Sequence, residues 1–418
     1  MSNQVHLSPT KLSILSIPRD KVWLFTAPIL RLLKDEAQKS NSQSVQGDDS
    51  EQDEDDLSDD ESSDNSNSGS VSGDQLARRE SLKRSKSDNG VDNSSKPAQS
   101  TAPSSASELE SSDDDDEEEA IFFHVALTPT ECTVICSSAV FQDAFDEPLK
   151  ICKQLDYADV VAVEEPFINL QVDSDGESHT SSRILELTRP LSENDIPLFF
   201  LSSHFTDIVL IPHKAKDEVV RILGSKQFEF SDVSNSYFVN TVSGVESKIR
   251  HLDINSSELE EKTLKLFENN GISPKINRKQ KLLLTGARPG RVKDAIEKAA
   301  MCIGSGSLPD YFVITRTSLN ELSLILPGSA RKRAAMGYDF KSIIGSAQDI
   351  ILPIAIDLRK LPLDLTGIVA GLASRILSSC EASIEMNYLS MARSGVVMIP
   401  EENLGSVAQV VNSINYRE

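Results

Sequence analysis

The sequence has no stretch of about 18 consecutive apolar residues, so no membrane-spanning helix is expected. It shows no secretory leader, and a soluble cytoplasmic protein is the expectation. Cysteine is scarce. Cys132, Cys136, Cys152, Cys302 and Cys380 form no Cys-x-x-Cys pair, and their odd number leaves one over in any disulfide scheme. Cys132 and Cys136, four apart in strand-like sequence, face one way and read as buried thiols. The six histidines, His6, His124, His179, His204, His213 and His251, lack ligand spacing, which argues against a metal site. Gly286-Ala287-Arg288-Pro289-Gly290 lacks the Lys-Ser/Thr ending of a phosphate loop, and Gly304-Ser305-Gly306 reads as a turn. No nucleophile stands with a base. The chain therefore reads as non-enzymatic, with no catalytic residue, cofactor or metal.

Positive charge is also short, with 42 Lys and Arg against 65 Asp and Glu for a net charge of −23. Nucleic acid needs clustered cations that release counterions, and the sequence offers no such stripe. Arg331-Lys332-Arg333 reads as a solvated turn. The acidity is concentrated: from Gly47 to Glu119 there are 24 acidic and 6 basic residues, so about −18 of the net charge lies there. Residues 38–119, rich in Ser, Asp, Glu, Asn and Gly, hold too few apolar groups to offset ordering entropy and are expected to be disordered. Arg78-Arg79-Glu80-Ser81 places Ser81 where a basophilic kinase would read it, and Ser58, Ser107, Ser111 and Ser112 precede acids as casein-kinase-like sites do.

What the folded part does have is an internal repeat. Leu201-Ser202 and Pro212 recur as Leu389-Ser390 and Pro400, and Ile208-Val209-Leu210-Ile211 matches Val396-Val397-Met398-Ile399, all at an offset of 188. Phe122 pairs with Phe312 and Glu131 with Glu321 at an offset of 190. Four small units follow, each reading strand, helix, strand, strand, helix. The first occupies 8–37 and 120–156, interrupted by the acidic insert, which loop-closure entropy tolerates because it grows only logarithmically with length. The others span 157–228, with Ala158 to Val163 as first strand, then 278–340 and 341–418. Residues 229–277 form a linker of uncertain structure. Strands joined by short turns and alternating with amphipathic helices define an α+β chain of four ferredoxin-like βαββαβ units in two tandem pairs.

The junction Asp364-Leu365-Thr366-Gly367-Ile368-Val369-Ala370 lies where a strand gives way to a helix. Its amides could hold a carboxylate, or Thr366 could simply cap the helix. The run Leu363 to Leu372, followed by Tyr388-Leu389-Ser390 and Val396 to Glu402, resembles the last ACT domain of the CASTOR (GATS-like) family of cytosolic amino-acid sensors. Leu12 to Leu33, with Trp23-Leu24-Phe25-Thr26-Ala27-Pro28, resembles that family's first unit. Phe200 to Ser203 with Thr206 to Leu210 resembles the second, and the chain is identified as a diverged, fungal-type member.

The resemblance implies four ACT domains and nutrient signalling to the target-of-rapamycin kinase through a GATOR-like complex. It places an amino acid between the second and fourth domains, against Pro197, Leu198, Leu365, Thr366, Gly367, Ile368, Met391 and Ala392. Acidic side chains that face arginine in relatives correspond to Leu365 and Gly395, so arginine is not expected here. The implied ligand is a neutral or apolar amino acid, or none, because a buried cation without a carboxylate costs several kcal/mol. Partner docking is placed at His204, Phe205 and Asp207, with Phe205 either an exposed anchor or folded back. A homodimer stays open. Rival readings are a ligand-free scaffold regulated through phosphorylation, and a regulatory subunit of an amino-acid biosynthetic enzyme such as an aspartokinase.

Overall fold

The computed structural model describes residues 3–39, 121–173, 180–231, 252–306, 308–346, 348–380 and 384–415. The acidic insert from Ser40 to Ala120, with Ser58, Ser81, Ser107, Ser111 and Ser112, lies outside the described residues.

The chain begins with β1 (Asn3–Leu7), then runs β2 (Leu12–Pro18), α1 (Thr26–Lys39), β3 (Phe123–Leu127), β4 (Glu131–Ser137), α2 (Ser138–Gln154) and β5 (Val161–Ala162). A second stretch comprises β6 (Phe167–Asp173), α3 (Thr180–Ser192), β7 (Phe199–Ser202), β8 (Thr206–Pro212), α4 (Lys216–Gly224) and β9 (Phe228–Ser231), followed by α5 (Leu252–Asn270). The third is β10 (Lys275–Ile276), β11 (Leu282–Ala287), α6 (Val292–Gly304), β12 (Phe312–Arg316), β13 (Leu322–Pro327), α7 (Ala330–Ala335) and β14 (Ile343–Ile344). The last is β15 (Ile350–Asp357), α8 (Ile368–Ser378), β16 (Asn387–Ser390), β17 (Ser394–Pro400) and α9 (Leu404–Asn415). Among the described residues, the order strand, helix, strand, strand, helix thus occurs four times.

Local chemistry sets several of these boundaries. The Ser137 hydroxyl accepts from the Val140 amide at 3.4 Å and starts α2. Asp217 and Glu218 place carboxylates in the first turn of α4, where the helix dipole favours them. The strands are covered on both faces: every residue of β8 is buried, with Ile208 to Ile211 as its apolar run.

Strand pairing joins the modules crosswise. Within the first, β5, β2, β4 and β3 lie in that order, all antiparallel, and within the third the order is β14, β11, β13 and β12. These two sheets fuse because β3 pairs antiparallel with β12, Val125 opposite Ile314. The second and fourth fuse through β7 and β16, where Leu201 faces Leu389. At their far ends the fused sheets touch, β2 against β6 and β11 against β15, so a ring of strands closes. β1 intrudes between β6 and β9, in the place a fourth strand would take in the second module.

Three cores fill four layers. Ile14, Ala126, Ile135, Leu201, Ile208, Val313, Ile325, Leu389 and Val396 meet between the two sheets. Alternate residues of the same strands point outward, under α1, α2 and α6 on one side. On the other side they lie under α3, α4, α8 and α9. Val209 and Ile211 face that outer core while Ile208 and Leu210 face the inner one, the period-two alternation of a strand. Cys132 and Cys136 are buried in the first outer core, and burial pushes both thiols up to about 12.

Two expectations are corrected, and a segment left open is filled in. Ala158 to Val163 does not open the second module: its β5 pairs with β2 and completes the first, while β6 opens the second. In β6 the polar Asn169 and Gln171 break the apolar run that a strand covered on both faces leads one to expect. The described residues of 229–277, the segment left open, hold the end of β9 and then α5 and β10, and α5 packs on α8. Arg331-Lys332-Arg333 is part of α7, not a solvated turn, and Arg333 is buried, donating to the Pro327 and Gly328 carbonyls at 3.0 and 2.7 Å.

Candidate functional site

Between the second and fourth modules a cavity of about 60 Å³ opens beside the start of α8. The walls include Leu198 and Phe199 from the second module, and Leu365, Thr366, Gly367, Ile368, Tyr388, Ser390, Met391, Ala392 and Ser394 from the fourth. Seven of the eight sequence-derived ligand residues therefore come together here. Pro197 is not among the lining residues. At roughly 10–15 Å³ per water, the space equals about four to six waters, the scale of a small amino acid rather than a nucleotide.

The segment 365–367 is shaped by its glycine. Gly367 is the N-cap of α8 with φ +87°, a left-handed conformation that L-residues rarely adopt, and no side chain caps the helix. Thr366 therefore does not cap. The first-turn amides of α8 are the donors a helix leaves without intrahelical partners, and they start at the cavity wall formed by Gly367, Ile368 and Val369. Behind this segment stands α5: the Thr263 hydroxyl donates to the Gly367 carbonyl at 3.2 Å. A side chain at Gly371 would stand 2.0 Å from that Thr263 oxygen, so the close approach of α5 to α8 depends on glycine. A second, open groove of about 520 Å³ runs between α5 and Leu365-Thr366-Gly367.

The serines on the cavity wall are already engaged. Ser192 donates to the Thr188 carbonyl at 2.7 Å. Ser390 accepts from the Phe200 amide at 2.9 Å, and Ser202 accepts from the Tyr388 amide at 3.1 Å. This reciprocal pair splices β7 to β16 where only Leu201 and Leu389 face each other in the ladder. The repeated Leu-Ser dipeptide is the sequence trace of this splice, whose hydrogen bonds exist only once β7 and β16 lie side by side.

The ionisable group on the wall is Tyr388, 1% exposed, with its phenol pushed well up by burial. Its hydroxyl lies over Gly395: a Cβ there would stand 2.5 Å from the oxygen. The 188-residue offset relates Gly395 to Asp207 and Tyr388 to Phe200. Module two thus has a carboxylate where module four has a glycine roofed by a phenol.

His204, Phe205 and Asp207 do not form an exposed patch. Asp207 is 4% exposed, and burial pushes its carboxyl up to about 6 against the opposing pull of Arg183 and the Ser202 hydroxyl. The His204 amide donates to Ser323 at 2.9 Å, and the Phe205 ring covers Gly286, where a Cβ would meet Phe205 Cζ at 2.5 Å. Phe205 is half-buried against the third module, an arrangement neither expectation for this residue described. Among the described residues no group of three or more His, Cys, Asp or Glu is placed to hold a metal ion, and no helix is long and apolar enough to cross a membrane.

Residues 162–225 and 346–413 match the family model of the ACT domain. These segments correspond to the second and fourth modules, the pair that bounds the cavity. The chain therefore carries two matches to a regulatory, amino-acid-binding domain class of ferredoxin-like fold. Among solved structures, an aspartate kinase from Synechocystis is similar at 8% identity and a TM-score of 0.28, over 99% of this chain and 55% of its own. An Agrobacterium tumefaciens protein is similar at 12% identity and a TM-score of 0.21, over 28% of this chain and 91% of its own. The chain thus spans about half the length of the aspartate kinase. Both TM-scores are too low for either likeness to support an argument. No curated protein matches the chain in sequence.

Proposed function

We propose that this chain is a non-catalytic regulatory protein that binds a neutral, apolar amino acid between its second and fourth modules. The observation that supports this most is the coincidence of the two ACT matches with the two modules sharing one fused sheet and one cavity. The uncapped first turn of α8 suits the ligand's carboxylate, and Leu198, Leu365, Ile368 and Met391 suit an apolar side chain. Aspartate and glutamate are missing from the wall, so a guanidinium entering it would be a buried, unpaired cation. An uncharged side chain is therefore favoured over arginine.

The first and third modules, with the same strand order, are further ACT-type domains in this reading. Ligand binding shifts the packing of the second module on the fourth, and a partner bound to one arrangement is released. The resemblance to the cytosolic sensors makes that partner a GATOR-like complex and the pathway that of the target-of-rapamycin kinase. The intramolecular engagement of His204, Phe205 and Asp207 moves the docking surface away from those residues.

A second reading is favoured by the small size of the cavity: a ligand-free scaffold, regulated through its acidic insert, in which Leu365 and Met391 close the groove. A thermal-shift series on the full chain with each of the twenty amino acids separates the two. A rise in Tm with valine, leucine or methionine supports the ligand reading, and no rise with any amino acid supports the scaffold.

A further inference from the structure

Glu131 opens β4 in the first module and is 4% exposed. Its carboxylate accepts from Ser16 Oγ at 2.8 Å and from Ser394 Oγ at 2.6 Å. It also accepts from the Arg393 amide, at 3.2 Å to Oε1 and 3.3 Å to Oε2. Two residues further along β4, the Thr133 hydroxyl accepts from the Ala392 amide at 3.3 Å. The first module thus grips the turn between β16 and β17 in the fourth. Met391, Ala392 and Ser394 of that same turn line the cavity.

The internal repeat shows which part of this grip is common and which is peculiar to this side. Offsets of 190 and 188 carry Thr133 to Ser323 and Ala392 to His204, and the Ser323 hydroxyl accepts from the His204 amide at 2.9 Å. Glu131 corresponds to Glu321, which instead accepts from Thr317 in its own module at 3.1 Å. The carboxylate latch is therefore built on the side that faces the cavity. Charge-assisted bonds to a buried carboxylate are among the stronger ones, so the turn is held firmly.

We propose that Glu131 is a positioning residue for the ligand cavity, fixing the turn Met391 to Ser394 against the first module so that the cavity wall and the first-to-fourth module contact move as one. This deepens the proposed function and rests on it. By linkage, a ligand that shifts the turn alters the grip of the first module, and loosening that grip alters the site.

Amide hydrogen exchange on the full chain tests it without a ligand. Glu131→Ala is expected to speed exchange by tenfold or more in peptides covering 391–395 and also across the cavity in 366–370, with β3 and β12 unchanged. Glu131→Gln keeps one acceptor oxygen and is expected to recover most of the protection. Ser394→Ala removes the shortest bond and gives the same pattern in weaker form should the alanine variant not fold. A change confined to 391–395, a uniform rise through all modules, or a glutamine variant as fast as alanine would each overturn the proposal. Because no ligand is present, such a failure is distinguishable from a failure of amino-acid binding, which the thermal-shift series reads.

Discussion

Gly395→Ala places a methyl group where the structure leaves no room. The new Cβ would stand 2.5 Å from Tyr388 Oη and 3.2 Å from Cζ, with Ile356 Cδ1 at 3.7 Å. Tyr388 is buried in the fourth module beside the β7–β16 splice, and its own amide is held by Ser202, so the ring has little freedom to swing aside. Inserting a methyl into a packed core costs about 1–3 kcal/mol. With roughly 2–4 °C per kcal/mol for large domains, Tm falls by about 2–12 °C. Tyr388→Phe removes the contacting oxygen and leaves Cζ at 3.2 Å as the nearest atom. The double variant is therefore expected to recover at least half of the loss, a coupling of about 1 kcal/mol in a double-mutant cycle by urea denaturation. A neutral Gly395→Ala, or a loss that Tyr388→Phe leaves untouched, would refute the view that the phenol occupies the place of an acidic side chain.

The reciprocal serines give a related outcome: Ser202→Ala and Ser390→Ala each leave a buried amide without its acceptor and should cost about 1–3 kcal/mol by urea denaturation. Equal loss from both, with the double variant less than additive, is expected if they act as one splice. His124, fully buried with Nδ1 2.8 Å from the Thr315 hydroxyl, is pushed down to about 3 by burial. Because the unfolded chain takes up the proton more readily, stability is lost as pH falls from about 6.5 towards 3. Asp207 acts oppositely: its raised folded value makes stability rise as pH falls from about 6 to about 4. His124→Gln should therefore flatten the acid limb of a stability-against-pH curve, and an unchanged limb would show that histidine does not cause it.

Much of the architecture was legible because strands covered on both faces leave apolar runs, such as Ile208 to Pro212, and because the repeat copied them at a fixed spacing. The cavity loop was legible for a different reason. It lies at a strand-to-helix junction, and the run Leu363 to Leu372 carries a family resemblance; the left-handed backbone at Gly367 is the physical reason for the glycine there. What escaped the sequence depends on contacts between modules. β6 carries Asn169 and Gln171 within its run, and β5 and β10 are two-residue strands whose identity lies in their partners. The role of α5 depends on its seat against Gly367 and Gly371, and Glu131 shows in sequence only as a repeat position matching Glu321 until Arg393 and Ser394 arrive from 262 and 263 positions away. His204 and Phe205 misled for the same reason, since the glycine that receives Phe205 belongs to another module.

The most direct test of the account is titration calorimetry of the full chain with leucine, methionine, valine and arginine under one buffer. Saturable binding of an apolar amino acid, weakened at least tenfold by filling the cavity with Ala392→Leu, with no heat from arginine, is the expected result. Arginine binding at micromolar concentration, or apolar amino-acid binding indifferent to Ala392→Leu, would contradict it.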